Sequence, residues 1–148
     1  MEVITKNKKA FFNYSILEKV ICGMKLQGSE VKSIRGSNVS IVEAYCLIRD
    51  GEIFVKGMHI AEFREGGTHN NHDPLRERKL LLKKKEIQKL GVQVAQKGLT
   101  IIPLAILLTP TGFIKLEIGL AKGKNTVDKR HSIKEKEDKR EMDRAKKV

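Results

Sequence analysis

LTIIPLAILLTPTGFIKLEIGL, residues 99–120, decides the fold class. Leu99 to Leu108 is an apolar run interrupted by Pro103. Pro110-Thr111-Gly112 is turn chemistry, and Phe113 to Leu120 reads as the returning strand. The same period-two pattern appears upstream, from Phe12 onward. Val20, Cys22, Met24 and Leu26 point one way, and Lys19, Ile21, Gly23 and Lys25 the other, which predicts a long half-buried strand. Ala44, Cys46 and Ile48 alternate up to Asp50-Gly51, a strong two-residue turn signal, and Ile53 to His59 returns as the partner strand.

Helical signals interrupt these strands. Gly28 and Ser29 break the first strand, and Ser29 is expected to cap a short helix that stops at Gly36. In that helix Val31 and Ile34 share the core face, while Lys32 and Arg35 share a neighbouring solvent face. The polar, Gly-rich segment Arg64 to Asn71 should be a loop. Asp73-Pro74 is expected to open a helical region, with Asp as N-cap and Pro at the first helical position. Leu80, Ile87, Leu90 and Val94 follow helical spacing to a stop near Gly98. The pattern leaves open one helix or two, with a break near Leu82-Lys83.

Short strands with helices between them predict a mainly β fold, a small antiparallel barrel of the oligonucleotide-binding (OB) kind. Residues 1–120 would form the barrel. Residues 121–148 form a basic tail with too few apolar side chains to fold alone. From Ser132 onward the tail has good helix formers and few breakers, so it should be disordered when free and helical when docked.

Charge narrows the partner class. Thirty Lys plus Arg stand against eighteen Asp plus Glu, a formal net charge of +12 in 148 residues. Such a field attracts polyanions, and nucleic acid leads because each neutralised phosphate releases counterions. An anionic membrane surface ranks lower, since no segment joins a basic helical face to a bulky aromatic anchor. Met1 to Lys9 lacks the apolar run of a signal peptide, and Leu99 to Leu108 is too short to span a bilayer. A soluble, cytoplasmic protein is expected. Cys22 and Cys46 fall among alternating apolar residues and read as small buried hydrophobes.

Three basic clusters carry the candidate chemistry. Lys32 and Arg35 lie on the short helix beside Glu30. Arg76, Arg78, Lys79, Lys83, Lys84, Lys85 and Lys89 face only two acids between Leu75 and Lys89. A solvated helix face usually mixes signs, so this excess points to phosphate contact. The tail is the third cluster. The aromatic residues Phe11, Phe12, Tyr45, Phe54, Phe63 and Phe113 mostly fall in the strand pattern and read as core. Tyr14 is the exception, at the start of the first strand beside Lys8 and Lys9. So few stacking residues favour recognition of RNA shape and backbone over single-strand reading. His69, His72 and Asp73, with His59 upstream, match no metal motif, and Asp73 already has a role as a cap. No GxSxG, Walker or dinucleotide loop is present. No catalytic residue, metal or cofactor is expected.

These residues together resemble the small protein B (SmpB) family along nearly the whole chain. Asn7-Lys8-Lys9-Ala10 followed by Tyr14 is similar to its N-terminal signature. Gly28-Ser29-Glu30-Val31-Lys32-Ser33-Ile34-Arg35 is similar to its first helix. His72-Asp73-Pro74-Leu75-Arg76 with Arg78-Lys79-Leu80-Leu81-Leu82 resembles its central motif, and Gly119-Leu120-Ala121-Lys122-Gly123-Lys124 with Asp128-Lys129-Arg130 the start of its tail. The resemblance implies an OB-like barrel with about three helices. It implies a non-enzymatic factor that binds the transfer-RNA-like domain of transfer-messenger RNA (tmRNA, or SsrA RNA). With elongation factor Tu, such a factor brings the RNA to stalled 70S ribosomes for peptide tagging and rescue, the process called trans-translation. It places Tyr14, Glu30, Lys32, Arg35, Arg76, Arg78 and Lys79 on the RNA side. Glu30 would accept hydrogen bonds from bases or 2′-hydroxyls. Lys122, Lys124, Asp128, Lys129, Arg130, Lys134 and Lys136 would contact the decoding centre and messenger channel of the small subunit. Val127 stands where the family often has His, Ile21 where it often has an acid, and Phe12-Asn13 where a His-acid pair is usual. The alternative among binding proteins is a ribosomal protein or translation factor with an OB-like fold that binds ribosomal RNA.

Overall fold

The computed structural model describes residues 1–63 and 71–124. Strand β8 (Thr100–Leu108) and strand β9 (Ile114–Gly123) form the expected antiparallel pair, registered from Thr100 opposite Ala121 to Leu108 opposite Ile114. The register shifts between Pro103 and Ala105. A bulge here suits the residue that cannot donate a ladder hydrogen bond. It also turns the strand: Ile101 and Ile106 enter the main core, while Ile102 and Leu104 enter a second, smaller one. That is why one run of apolar residues is buried from Ile101 to Leu107 without alternation.

The long first strand is β2 (Tyr14–Met24), paired along β9 from Tyr14 opposite Gly123 to Gly23 opposite Lys115. Cys22 and Met24 are buried and Val20 packs against the core, whereas Lys19, Ile21 and Lys25 are exposed, as the alternation requires. Strands β4 (Tyr45–Arg49) and β5 (Glu52–Lys56) make the expected hairpin. Asp50 and Gly51 both have positive φ, 54° and 75°, which is the two-residue turn that fits strand twist.

Two elements had no clear sequence signal. Strand β1 (Glu2–Lys6) pairs with β8, and helix α1 (Lys8–Asn13) follows it at once. Phe12, expected at the start of the long strand, belongs to α1. Asn7 joins the two: its Oδ1 accepts from Ala10 N–H, and its Nδ2 donates to the carbonyls of Ile41 and Pro103. The Asn7 of the N-terminal signature is therefore a buried strut.

The short helix is α2 (Gly28–Arg35), but its N-cap is Gln27, not Ser29. Glu30 reaches back to accept the Gln27 N–H at 2.8 Å, and the Ser29 hydroxyl is engaged with His72 instead. A two-residue pair follows, β3 (Val39–Ser40) with β6 (His59–Ile60).

The region opening at Asp73-Pro74 is corrected. Asp73 Oδ1 accepts the Leu75 N–H, but only a single turn forms there. Arg78–Leu81 is strand β7, hydrogen-bonded between β5 and β2. The helix is α3 (Lys84–Lys97), stopped at Gly98. Tertiary pairing overrides local helical spacing here, because β7 fills the gap between two edges that would otherwise be left open.

The main sheet runs β1-β8-β4-β5-β7-β2-β9, and β9 also pairs with β8. That last pairing closes the sheet on itself, a ring compatible with the OB-like expectation. Its interior holds Ile53, Val55, Leu80, Ile101, Ile106, Leu116 and Ile118 among others. β9 runs past Leu120 to Gly123. The loop expected from Arg64 and the tail positions Val127, Asp128, Lys129, Arg130, Lys134 and Lys136 lie outside the described residues, except Asn71. No helix among the described residues is long and apolar enough to cross a membrane.

Candidate nucleic-acid interface

The basic residues of the second cluster separate into buried and exposed sets. Arg78 is fully buried, although Lys79 beside it is not. On β7 the side chains alternate, so Arg78 and Leu80 point inward and Lys79 and Leu81 outward. The inward guanidinium is fully engaged. Arg78 Nε donates to Glu30 Oε2 at 2.5 Å, Nη1 to the Met58 carbonyl at 2.6 Å, and Nη2 to the carbonyls of Asp73 and Pro74. Arg76 donates to Glu30 Oε1 at 2.5 Å and to the Lys25 carbonyl at 3.2 Å. Burial alone would raise the Glu30 pKa, but hydrogen bonds from Arg76, the Gln27 N–H and Arg78 outweigh it and hold the carboxyl below its ordinary value.

Glu30 and Arg78 therefore form an internal clamp that ties α2 to β7. The expectation that Glu30 accepts bonds from bases does not fit this geometry, because both of its oxygens are spent inside the fold. Arg78 likewise presents no surface to a ligand. Their sequence signal, a charge excess, does not distinguish a phosphate contact from a buried pair.

Of the outward set, Lys79, Lys83 and Lys84 line a groove of about 570 Å³, whereas Lys85 and Lys89 are exposed outside it, with Lys89 Nζ 3.7 Å from Glu18. The groove's basic rim is Lys79, Lys83, Lys84 and Lys115, and its floor includes Ile21, Gly23 and Leu81. Ile21 and Leu81 are 46% and 53% exposed, high for branched apolar side chains on a sheet. Two pairings and one connection assemble the groove. Gly23 lies opposite Leu81 on one side and Lys115 on the other, and β7 leads directly into α3. A Cβ at position 23 would sit 3.3 Å from Leu81 Cδ1, so the bare glycine lets Leu81 lie over the strand. Lys79 keeps one exposed partner, Glu52 at 2.9 Å. Apolar floor, lysine rim and solvent exposure together suit a sugar-phosphate backbone with its flat base faces. Lys115 was not singled out in the sequence because it stands alone between apolar residues; only the β2–β9 register brings it to the other lysines.

Lys32 and Arg35 are exposed on α2, as expected. Lys32 Nζ lies 5.3 Å above the Phe63 ring, and Arg35 Nη2 donates to the Gly112 carbonyl at 3.0 Å. Tyr14 lies elsewhere, at the far end of β2, roughly 33 Å along the strand from Met24 at about 3.3 Å per residue. It lines a recess of about 360 Å³ with Lys9, Asn13, Tyr45 and Thr100. Lys122 pairs opposite Ser15, and Lys124 N–H donates to the Asn13 carbonyl at 3.0 Å. Tyr14 thus sits with Lys122 and Lys124, where the described chain ends, and not with the other residues expected on the RNA side. Both ring nitrogens of His72 are engaged, with Ser29 Oγ and the Ile60 carbonyl, each at 2.8 Å. Among the described residues no group of His, Cys, Asp and Glu is arranged to hold a metal.

An SsrA-binding protein of Cytophaga hutchinsonii is 51% identical over 139 residues, 94% of this chain and 90% of its own. That of Bacillus cytotoxicus is 50% identical over 97% of this chain and 92% of its own, and that of Treponema denticola 46% identical over 100% and 95%. A chain from a solved structure described as "tmRNA-SmpB: a journey to the center of the bacterial ribosome" aligns with a TM-score of 0.68 and 41% identity. It covers 82% of this chain and 85% of that one. The profile of the SmpB protein family matches residues 4–148, and with these relatives it shows that the chain belongs to the SmpB family.

Proposed function

We propose that this protein binds the transfer-RNA-like domain of tmRNA and brings it to stalled ribosomes, where trans-translation tags the incomplete product and frees the ribosome. Its relatives are SsrA-binding proteins, and the solved neighbour is a tmRNA–SmpB assembly on the bacterial ribosome. The observation that carries the reading is the groove of Ile21, Leu81, Lys79, Lys83, Lys84 and Lys115. It offers an excess of positive charge, four lysines against Glu52 and Glu86, beside exposed apolar surface. Glu30 and Arg78 act there as positioning residues, since they fix β7 against α2.

The opposite end, with Tyr14, Lys122 and Lys124, faces the ribosome in this proposal. The tail leaves the body there, and Asp128, Lys129, Arg130, Lys134 and Lys136 follow it into the decoding centre and messenger channel. Delivery in company with elongation factor Tu, and action in the cytoplasm without a membrane, complete the reading.

Charge reversal separates the two ends. Lys115→Glu should weaken binding of tmRNA and flatten the dependence of log K on log salt by about 1. Truncation before Asp128 should leave RNA binding intact and abolish tagging. Unchanged RNA affinity in Lys115→Glu, or lost RNA affinity in the truncation, would overturn the assignment of the two ends.

A further inference from the structure

The β8–β9 hairpin ends in an aromatic side chain that the core does not use. Phe113 is 66% exposed, although its neighbours Ile114 and Leu116 pack inward. It immediately precedes β9, two residues before the groove lysine Lys115, and lines a hollow with Arg35 and Met24.

The tip is held firmly. Gly112 N–H donates to the Thr109 carbonyl at 2.9 Å, and Thr109 N–H to the Phe113 carbonyl at 2.8 Å. Phe113 N–H donates to Thr109 Oγ1 at 2.9 Å, and that oxygen lies 3.1 Å from Thr111 Oγ1. From across the gap, Arg35 Nη2 donates to the Gly112 carbonyl. Its remaining guanidinium donors are on an exposed side chain. Beneath lies a hollow of about 370 Å³ whose walls include Met24, Leu26, Val31 and Ile114.

A turn tied by this many hydrogen bonds, with its one large ring turned to solvent, is organised before any partner arrives. Stacking then orders only the ring's own rotamer and none of the backbone, which lowers its entropic cost. The cation at hand is Arg35, whose planar fork suits a phosphate. Exposed Lys25 and Lys32 add positive charge nearby, so the surface complements an anion and disfavours a basic peptide.

We infer that Phe113 and Arg35 form a second RNA contact, separate from the lysine groove, in which the Phe113 ring stacks on one unpaired base of an RNA loop and Arg35 takes the adjoining phosphate. The inference rests on the RNA-binding reading above and adds a base-stacking site to it.

The chain contains no tryptophan, so Phe113→Trp introduces a single fluorescent reporter. The expected result is that the transfer-RNA-like domain of tmRNA quenches this indole. Phe113→Ala should lose about 5- to 150-fold in affinity, the range for one base on an aromatic ring, with the salt slope unchanged. Arg35→Gln should lower the slope instead. Binding by Phe113→Trp with no change in emission, or undiminished affinity in Phe113→Ala, would overturn the stacking site while leaving the groove assignment intact. If the unaltered protein showed no preference for tmRNA, the broader reading would fail first. Circular dichroism of each variant separates misfolding from lost contact.

Discussion

Glu30→Gln tests whether the internal clamp organises the groove. The substitution keeps size and shape but removes the charge. In the parent protein Glu30 Oε1 accepts from Gln27 N–H and Arg76, and Oε2 from Arg78. An amide turns one of those oxygens into a donor, so at least one arginine meets a donor in place of an acceptor. Arg76 is 30% exposed and can turn to water, but Arg78 is fully buried and cannot. Breaking a buried ion pair costs about 3–5 kcal/mol. Arg78 keeps its carbonyl partners at Met58, Asp73 and Pro74, which puts the expected loss near the lower end, about 3 kcal/mol. In urea unfolding followed by far-ultraviolet circular dichroism, the midpoint should fall by about 1–3 M. The loss also depends on pH. The Glu30 carboxyl ionises below its ordinary value of 4.5, so its contribution is complete above that pH. It disappears as pH falls through the lower folded pKa. The two proteins should therefore differ most near neutrality and converge in acid. A midpoint shift under about 0.3 M at pH 7, or a difference constant from neutrality into acid, would refute the reasoning.

Cysteine burial and glycine backbone geometry each lead to a measurable outcome. Burial pushes the Cys22 thiol up to about 12 and raises Cys46 as well, so thiolate is scarce in the folded protein at pH 8. Both should resist iodoacetamide until denaturant is added, and prompt labelling of the native protein would contradict their burial. Gly57→Ala and Gly28→Ala should differ in sign. Gly57 has φ +74° and a Cβ there would meet the Glu43 carbonyl oxygen at 2.8 Å, so alanine should cost about 1–3 kcal/mol. Gly28 opens α2 with nothing within 4 Å, and alanine should stabilise by about 0.4–1 kcal/mol; equal melting temperatures for the two variants would defeat this contrast.

Much of the fold was legible where side-chain period and turn chemistry agree. The alternation of Val20, Cys22 and Met24 locates β2, and Asp50-Gly51 locates the β4–β5 turn. The stretch from Asp73 misled because Pro74 and the spacing of Leu80 and Ile87 look helical locally. Only the need to bridge β5 and β2 makes Arg78–Leu81 a strand. β1 and α1 are too short to show a period, and their anchor, Asn7, works through carbonyls distant in sequence.

The candidate site was legible in charge but not in arrangement. The lysine excess between Leu75 and Lys89 includes Lys79, Lys83 and Lys84 of the groove rim, yet it cannot tell Lys79, facing out, from Arg78, facing in. Lys115 joins the rim only through strand register, and Phe113 looks like core because a turn residue and a strand residue share one apolar signature.

The central claim is that the groove recognises tmRNA and not merely polyanions. The most direct measurement is a salt-titrated gel shift of the full chain with tmRNA, an ordinary transfer RNA and a random RNA of equal length. A preference for tmRNA that persists as salt rises is expected, because shape and apolar contact do not depend on counterion release. Equal affinities that fall together with salt would contradict it, leaving the +12 charge as a generic attraction and a ribosomal-RNA-binding protein as the better description.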